Sequence, residues 1–448
     1  MNTDMTKGRP LPIILKFVLP IFLGNLFQQF YNMADTFIVG HFVGQNALAA
    51  VGATGTIMFL VLGLAQGLTT GFTVLTSQCY GSHHMKRLRH SFSNGVILAW
   101  IVIIFMTLLS VLTMHPLLKL MNTPADIYED SYTYIIIICY GIVCSVFYNL
   151  FSSYMRAVGN SNVPLYFLIF SAILNVVLDI VFIVTFNWGV AGAAIATDIS
   201  QGISAVLCLI YIYKKIRILV PERDDWKLTR ADTAHQLRIG IPMALQFGIT
   251  ASGTMIMQAA INLFGATAVA AFTAANKVNG IMTQGFPSMG QAMATYCGQN
   301  YGGGGWKRIR EGVNKALLAS FAYAIIAGIL AVVFMRPFIT IFFEAGTDID
   351  AMIPWARPYV LMCALCYIPL SMIFIFRNAM QGCGYGLLPM LGGVVELFAR
   401  LITAAISIST HIYVFAAACD PAAWVAAGLF TAIAYIFVMR DVKKKIRE

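Results

Sequence analysis

The sequence has little charge. Only 11% of its residues are Asp, Glu, Lys or Arg and 59% are hydrophobic, whereas a soluble domain carries roughly 25% charged residues. This composition excludes a water-soluble domain and predicts an integral membrane protein. The chain also lacks the alternating ten-residue pattern of an outer-membrane barrel and the G-x-x-x-x-G-K-[ST] motif of an ATP-binding cassette. Its first apolar stretch, Leu11–Val39, is too long for a signal-peptide core, so we expect a retained helix.

Apolar runs of about 20 residues recur along the chain, and each is long enough to cross a hydrocarbon core of about 30 Å. We predict twelve spans, at residues 13–39, 47–76, 91–114, 131–155, 163–185, 190–213, 236–263, 268–297, 313–335, 355–376, 387–410 and 414–438. If both termini are cytoplasmic, 24 of the 29 Lys and Arg residues lie inside and three outside. The positive-inside rule therefore predicts that orientation, and the net charge of +10 reflects topology rather than nucleic-acid binding.

The two halves of the sequence repeat each other. When the chain is aligned with itself so that residue 78 falls on residue 299, QCYGSHHMKRLR (78–89) falls on QNYGGGGWKRIR (299–310). After a four-residue insertion, MRAVGNSNVP (155–164) falls on MQGCGYGLLP (380–389). Each half has six predicted spans, and an even number returns the chain to its starting side. The halves are therefore expected to share one orientation, related by an axis along the membrane normal.

The expected fold is an all-α integral membrane protein with twelve transmembrane helices in two six-helix lobes around a central cleft. The lobes are assigned to residues 1–213 and 237–448, joined by the polar cytoplasmic linker 214–236. Pro20 and Pro242 occupy corresponding positions in the first helix of each half. Paired helix interruptions point to binding sites in secondary transporters, so Pro20 is a candidate hinge. The alternative is an ordinary kink whose freed backbone groups are satisfied by neighbouring helices.

Several motifs spread over the chain carry a family resemblance. They are PIFLGNLFQQFYNMADTFIVGHFVGQNALAAVG (20–52), RAVGNSNVP (156–164), LNVVLDIVFI (174–183), WGVAGAAIAT (188–197) and GGVVELFAR (392–400). With them, the chain resembles the MATE (multidrug and toxic compound extrusion) family of bacterial efflux transporters. The resemblance implies a V-shaped pair of lobes that exports cationic, often aromatic compounds in exchange for Na+ or H+. It also implies a multi-pass protein of the bacterial cytoplasmic membrane, expected as a monomer with no cofactor.

Placing an ionisable side chain at the centre of a membrane helix costs on the order of 2.5–3.5 kcal/mol. Each such residue inside the predicted spans is therefore expected to have a structural or functional role. Six are assigned to spans: Asp35, Asp179, Asp198, Lys277, Glu396 and Arg400. The three aspartates lie in the first half, where Asn175 precedes Asp179 by one turn and Thr197 precedes Asp198. Such oxygen-bearing groups suit a hard cation, and neighbouring carboxylates also share protons readily.

The family resemblance carries the cation-site role onto Asp35, Asn175, Asp179 and Thr197, with Na+ as one possible occupant. Asp198 is a weaker candidate, because it can simply cap or solvate its helix. The structural alternatives are an interfacial carboxylate for Asp35 and an interhelical hydrogen bond for Asp179.

The second half breaks the symmetry. In the repeat register Asp35 falls on Ile256 or Met257, and Asp179 falls on Ala404. No acid lies in the seventh or tenth predicted span, where one branch of the family carries functional carboxylates, so coupling chemistry is expected in the first half.

The remaining intramembrane charges of the second half are open to two interpretations each. Glu396 and Arg400 are spaced i, i+4 with the acid first, which favours a structural ion pair; a substrate-facing group is the alternative. Lys277, which replaces Thr56 of the first half, either pairs with an acid or lines the cavity of its lobe.

Cationic amphiphiles suit adaptable Met side chains, aromatic faces and amides. The candidate cleft residues are Gln28, Gln29, Tyr31, Asn32, Met257, Asn262, Asn276, Lys277 and Asn279, although packing or interhelical hydrogen bonding explains any single one as well.

The alternative function is a flippase for lipid-linked precursors in the same superfamily, which predicts extra spans and a strongly cationic cavity. A membrane enzyme or receptor predicts a catalytic His or Cys cluster or a soluble domain, and the sequence has neither.

Overall fold

The computed structural model describes residues 3–121, 123–341, 343 and 348–447. Over these residues the chain forms α-helices and short helical turns and has no β-strand. The α-helices are α1 (Pro10–Phe42), α2 (Gln45–Gly81), α3 (Met85–Leu120), α4 (Ala125–Tyr140), α5 (Ile142–Ala157), α6 (Asn162–Ile180), α7 (Gly189–Lys215), α8 (Arg230–Asn262), α9 (Ala266–Met282), α10 (Gly285–Gly302), α11 (Trp306–Val333), α12 (Met335–Thr340), α13 (Ile349–Leu365), α14 (Tyr367–Gly382), α15 (Leu387–Thr410), α16 (Tyr413–Ala417) and α17 (Cys419–Arg447).

The helix bounds repeat in the registers that the sequence predicts. In the first register, which places residue 78 on residue 299, α2 falls on 266–302; α9 begins at Ala266 and α10 ends at Gly302. In the second register, which follows the four-residue insertion and places residue 155 on residue 380, α5 falls on 367–382, the bounds of α14. The two halves therefore share one succession of helices.

The described residues contain nine helices that are long and apolar enough to cross a membrane, and two bent pairs that each pass as one span. The bent pairs are α4 with α5, at 48°, and α13 with α14, at 50°. Their breaks, at Gly141 and Cys366, also correspond in the second register. The consecutive helices α9 and α10 take the repeat position of α2 and cover the eighth predicted span, 268–297. With them the number of spans in the described part of the chain is twelve.

The contacts divide the chain into two compact units. Unit 1 consists of Met1–Asp4 and Leu19–Ala244, and unit 2 of Met5–Val18 and Leu245–Glu448. The sequence-based lobes 1–213 and 237–448 remain a prediction, but contacts assign residues 5–18 to the second unit and residues 237–244 to the first. Both α1 and α8 therefore change unit partway along, close to Pro20 and to Pro242 respectively.

Each unit has its own apolar core, built from the helix faces that the sequence makes hydrophobic. The largest cluster in unit 1 joins α2, α3, α5 and α7 around Phe92, Phe151 and Tyr154. The largest cluster in unit 2 surrounds Phe272 and Phe286 and draws on α9, α10, α11, α13 and α14. Burial of such side chains contributes about 1.5–3 kcal/mol each in aqueous terms, and dispersion in close packing replaces that gain inside lipid.

The linker between the halves folds onto unit 1 through ion pairs with the basic start of α3. Arg87 donates to Asp232 at 2.9 Å, and His90 Nδ1 lies 2.9 Å from the other oxygen of the same carboxylate. Arg89 pairs with Asp225 at 3.5 Å and with Glu222 at 2.8 Å. The segment 214–236 is therefore packed against the helices rather than extended as a free tether.

A buried polar contact continues this docking into α8. Asn94 donates to Gln236 Oε1 at 2.7 Å, and Gln236 donates to the Ser91 carbonyl at 2.9 Å. One turn further, α2 and α8 meet backbone to backbone, since a Cβ on Gly71 would lie 2.3 Å from the Cα of Gly240. Only glycine permits this approach. We call the docking of residues 222–240 on α2 and the start of α3 the linker anchor.

Unit 2 holds the start of α1 in the corresponding way. Arg308, which matches Arg87 in the first register, donates to the backbone carbonyls of Met5 at 3.1 Å and Gly8 at 2.7 Å. The Met5 N–H in turn donates to Gln299 Oε1 at 3.0 Å. We call this contact of residues 5–8 with Gln299 and Arg308 the N-terminal anchor. The repeated KR-x-R loops thus each hold the segment that leads into the first helix of a half.

Candidate functional site

Two buried aspartates meet in unit 1. Asp35 comes from the last third of α1 and is 8% exposed, and Asp179 comes from the end of α6 and is fully buried. Their carboxyl groups lie close enough to interact directly with each other. The remaining oxygen of each, Oδ1, has no hydrogen-bond partner among the described residues. Since buried carboxyl oxygens are nearly always satisfied, this pair has capacity left for a proton or a cation.

A short hydrogen-bonded chain connects the pair to α7. In the amide orientation that satisfies both of its ends, Asn175 donates to Asp179 Oδ2 at 2.9 Å and accepts from the Thr197 N–H at 3.2 Å. The Thr197 hydroxyl lies 3.3 Å from the Tyr31 hydroxyl. The structure therefore brings the four predicted cation-site residues together, and adds Tyr31, which the sequence suggests for the substrate cleft.

Local sequence explains the position of Asp179. Asn175 precedes it by four residues, so both side chains emerge from the same face of α6. Directly after α6, residues Val181–Thr185 form a π-helical turn, in which the Phe186 N–H bonds back to the Val181 carbonyl at 3.1 Å. Such turns widen a helix at the expense of regular bonding and are frequent at functional sites.

Apart from the amide and hydroxyl groups named above, the pair lies among apolar side chains. Ile38, Val39 and Ile183 belong to a buried cluster that adjoins it, and Tyr134 of α4, 2% exposed, lies close enough to interact electrostatically with Asp35. Low polarity strengthens any charge interaction in the site. Two adjoining carboxyl groups in such surroundings favour a shared proton or a bound cation over two free negative charges.

Asp198 lies apart from this chain of contacts, with no hydrogen bond to it among the described residues. Its carboxyl group packs against Gly141, the break between α4 and α5, where a Cβ would lie 1.9 Å from Asp198 Cγ. The half-buried carboxylate therefore occupies the space that the missing side chain leaves.

This contact predicts the effect of a substitution. Gly141→Ala should destabilise the protein by about 1–3 kcal/mol, the usual cost of overpacking, because the methyl group and the Asp198 carboxyl cannot share one position. Thermal unfolding in detergent measures the change, and adding Asp198→Ala should restore most of it. Gly52→Ala is the matched control, since nothing lies within 4 Å of its Cβ position. Equal melting temperatures for Gly141→Ala and Gly52→Ala would contradict the contact.

Unit 2 holds a buried network of four charges. Glu396 lies between two arginines: it accepts from Arg377 of α14 and lies 3.7 Å from Arg400, one turn away on α15. Arg400 Nε donates to Asp420 Oδ1 of α17 at 3.0 Å. The four side chains are between 5% and 9% exposed. Two cations and two anions leave the network neutral, which is the condition for holding charges inside a membrane protein.

Hydroxyl and amide groups extend the network towards α9. The Tyr359 hydroxyl donates to Asp420 Oδ2 at 3.1 Å or to Asn276 Oδ1 at 3.0 Å. Asn279 Nδ2 lies 3.3 Å from the same hydroxyl, and the Tyr367 hydroxyl donates to Asn279 Oδ1 at 2.9 Å. Five helices of unit 2, α9, α13, α14, α15 and α17, are thereby linked by polar bonds in their interior.

Two members of this network are missed by the sequence interpretation. Arg377 follows the predicted span 355–376 by one residue and so lies outside the predicted spans, yet it is 5% exposed within α14. Asp420 lies inside the predicted span 414–438 but is absent from the intramembrane charges assigned above. An acid in an apolar segment was the available signal. The Glu396–Arg400 contact exists, but as one link of a larger set.

The other cleft candidates are divided between the units. In unit 1, Gln28 and Gln29 are partly buried and Asn32 is exposed. In unit 2, Met257 is buried in the apolar core at 3% exposure, and Lys277 is exposed. Asn262 accepts from Gln258 at 2.8 Å, while Asn276 and Asn279 bond to Tyr359. The structure gives Met257 a packing role, and a substrate-lining role for the rest stays a prediction.

Comparison with known sequences finds one family across most of the chain. The MatE family model matches residues 20–181 and 242–410, which are the two halves of the repeat. A protein of Bacillus subtilis strain 168, described as probable multidrug resistance protein YpnP, is 32% identical over 308 residues, 68% of either chain. A Shewanella oneidensis protein described as FAD transporter is 23% identical over 375 residues, 82% of this chain and 81% of its own.

Solved structures share the fold. A crystal structure described as MATE in the bent conformation superposes with a TM-score of 0.91 over all of both chains, at 19% identity.

Proposed function

Because the chain belongs to the MATE family of transporters, we propose that it is a secondary active antiporter that exports cationic or amphiphilic compounds in exchange for Na+ or H+. The observation that carries this proposal is the Asp35–Asp179 pair, with an unbonded oxygen on each carboxyl group among the described residues. A proton or a sodium ion taken up there changes the net charge of a buried site. The description of a relative as multidrug resistance protein supports the substrate class.

Coupling requires that the ion and the exported compound favour different conformations. Asp35 lies on α1, and α1 is attached to unit 2 up to Val18 and to unit 1 from Leu19. Pro20, just beyond that point, removes one backbone hydrogen bond. We assign to Pro20 the bending of α1. This bending links protonation of Asp35, or cation binding to it, to a change in the conformation of the transporter.

The second half takes a supporting role in this proposal. Its buried charges are already neutralised within the Arg377–Glu396–Arg400–Asp420 network, and its repeat positions for Asp35 and Asp179 are apolar. The network therefore fixes the helices of unit 2, while the first half titrates or binds the ion. The flippase alternative is not favoured, because relatives are described as multidrug resistance proteins and the described part of the chain provides no spans beyond twelve.

The positive-inside distribution supports an orientation with both termini in the cytoplasm, in the bacterial cytoplasmic membrane. Both anchors then lie at the cytoplasmic ends of the helices. The monomer is the form proposed for transport, since the aspartate pair and its hydrogen-bond partners all come from one chain.

Vesicle transport tests the proposal. Purified protein is reconstituted into liposomes, and uptake of a fluorescent cationic dye is recorded under an inward- or outward-directed Na+ gradient and, separately, a proton gradient. We expect one gradient to drive dye movement against its own concentration gradient. FAD is tested in the same assay as a second candidate cargo, because the Shewanella oneidensis relative is described as FAD transporter. Dye movement that neither gradient accelerates over protein-free liposomes would refute antiport.

The N-terminal anchor yields a separate prediction. Arg308→Gln removes the guanidinium bonds to the carbonyls of Met5 and Gly8, so amide hydrogen exchange in residues 5–18 should rise by about tenfold or more, as local opening becomes easier by about 1–2 kcal/mol. Dye transport should fall as well. Arg310→Gln is the control, because Arg310 is exposed and belongs to the same basic loop. Unchanged exchange in Arg308→Gln would show that the anchor does not hold α1.

A further inference from the structure

An apolar groove opens in unit 1, and neither Asp35 nor Asp179 belongs to its lining. It has a volume of about 480 Å³ and is lined by α3, α5, α7 and one linker residue. Its walls include the aromatic side chains of Trp100, Phe147, Phe151, Tyr213 and Trp226. Several of them are substantially exposed, Trp100 at 50% and Trp226 at 43%. The groove lies within the size range of ligand sites, about 300–1,000 Å³.

The groove has the length of one membrane leaflet. Along α7 its lining runs from Gly202 to Tyr213, which spans about 16 Å at a rise of about 1.5 Å per residue. Half of a hydrocarbon core of about 30 Å is about 15 Å. At one end lie Tyr213 and Trp226, residue types that settle at the membrane–water interface. Its other end, near Gly202, therefore reaches the depth of the bilayer centre.

Positive charge surrounds the interfacial end. Lys214 and Lys215 follow Tyr213, and Lys227 follows Trp226; all three are exposed. Of the three acids in this region, Asp225 and Glu222 pair with Arg89, and Asp224 is exposed. Among the described residues none of the three lysines forms an ion pair. An apolar groove of leaflet length with exposed lysines at its interfacial end fits one acyl chain of a lipid whose head group is anionic.

We propose that this groove binds one acyl chain of an anionic phospholipid, with the phosphate group at Lys214, Lys215 and Lys227. Placing that lipid in the cytoplasmic leaflet rests on the orientation proposed above. The groove itself is complete within unit 1. The bound lipid fills space between α3, α5 and α7 and contacts Trp226, so it fastens the linker anchor to the membrane surface.

Native mass spectrometry of the purified protein tests this site. After delipidation in detergent, the protein is titrated with phosphatidylglycerol or with phosphatidylcholine of the same acyl chains. We expect one phosphatidylglycerol to bind with at least about fivefold preference, which is the factor that anionic attraction gives for a single lysine near the membrane surface. Val206→Trp, which fills the groove from an exposed position, should abolish that preference. Ile203→Trp, on the same helix and outside the lining, should bind like wild type.

Photolabelling provides a readout that does not depend on variants. Phosphatidylglycerol with a diazirine on its acyl chain should label residues 143–151 and 202–213 of the wild-type protein. Equal binding of the two lipids, equal binding by Val206→Trp and Ile203→Trp, or labelling spread over all helices would each overturn the proposal. These assays involve no transport, so their failure is distinguishable from failure of antiport.

Discussion

Asp35→Asn should abolish gradient-driven transport while leaving the protein folded. Asparagine has nearly the same shape as aspartate, but it neither gains and loses a proton nor offers a charged oxygen to Na+. Only Asp179 then remains to change its charge, and the shared site that lets the ion favour one conformation is lost. We expect the gradient-stimulated rate to fall by about tenfold or more, within the range of typical coupling free energies of ~1–3 kcal/mol.

The measurement is gradient-driven dye uptake into inverted vesicles, with dye binding to the purified protein recorded alongside. Dye binding should persist, which separates lost coupling from lost substrate recognition. Asp126→Asn is the control, because it makes the same change at an exposed acid in the first turn of α4. If Asp35→Asn retains transport driven by the gradient that drives wild type, Asp35 is not the coupling residue.

Arg377→Met should be among the most destabilising single substitutions in unit 2. It removes a buried cation and leaves Glu396 with only Arg400, at 3.7 Å, in surroundings where less than a tenth of each side chain meets solvent. Breaking a buried ion pair by removing one partner costs about 3–5 kcal/mol. Thermal unfolding in detergent, followed by size-exclusion chromatography of the soluble fraction, measures the loss.

A double substitution distinguishes the network from simple packing. Arg377→Met with Glu396→Leu removes one charge of each sign, so the remaining Arg400–Asp420 pair is again neutral and part of the stability should return. Arg357→Met, at an exposed position on α13, should change the melting temperature little. If Arg377→Met melts like wild type, the four charges do not stabilise unit 2 together.

The helical architecture could be predicted from the sequence because hydrophobic length and internal repetition are both read directly from the order of residues. The first register, found from two loop motifs, reappears in the bounds of α2, α9 and α10. The same comparison shows that the second-half positions of Asp35 and Asp179 are apolar. The structure brings Asp35, Asn175, Asp179 and Thr197 into one cluster, as the family resemblance implies.

The parts that the sequence did not provide depend on contacts between distant segments. Arg377 lies at the edge of an apolar run, where a charge usually faces water, and only its packing against α15 reveals that it is buried. The linker 214–236 is polar, and its acids would suit a free tether equally well. Its docking becomes evident only when Asp232 and Asp225 are seen beside the arginines of α3.

The N-terminal anchor has a consequence for the order in which the chain is made. Met5 bonds to Gln299, 294 residues later in the sequence. At the usual rate of synthesis, about 5–20 residues per second, the start of α1 waits about 15–60 s for its partner to emerge. During that interval residues 5–8 lack the side chains that hold them in the folded protein. The N-terminal anchor can therefore form only after residues 299–308 have been synthesised.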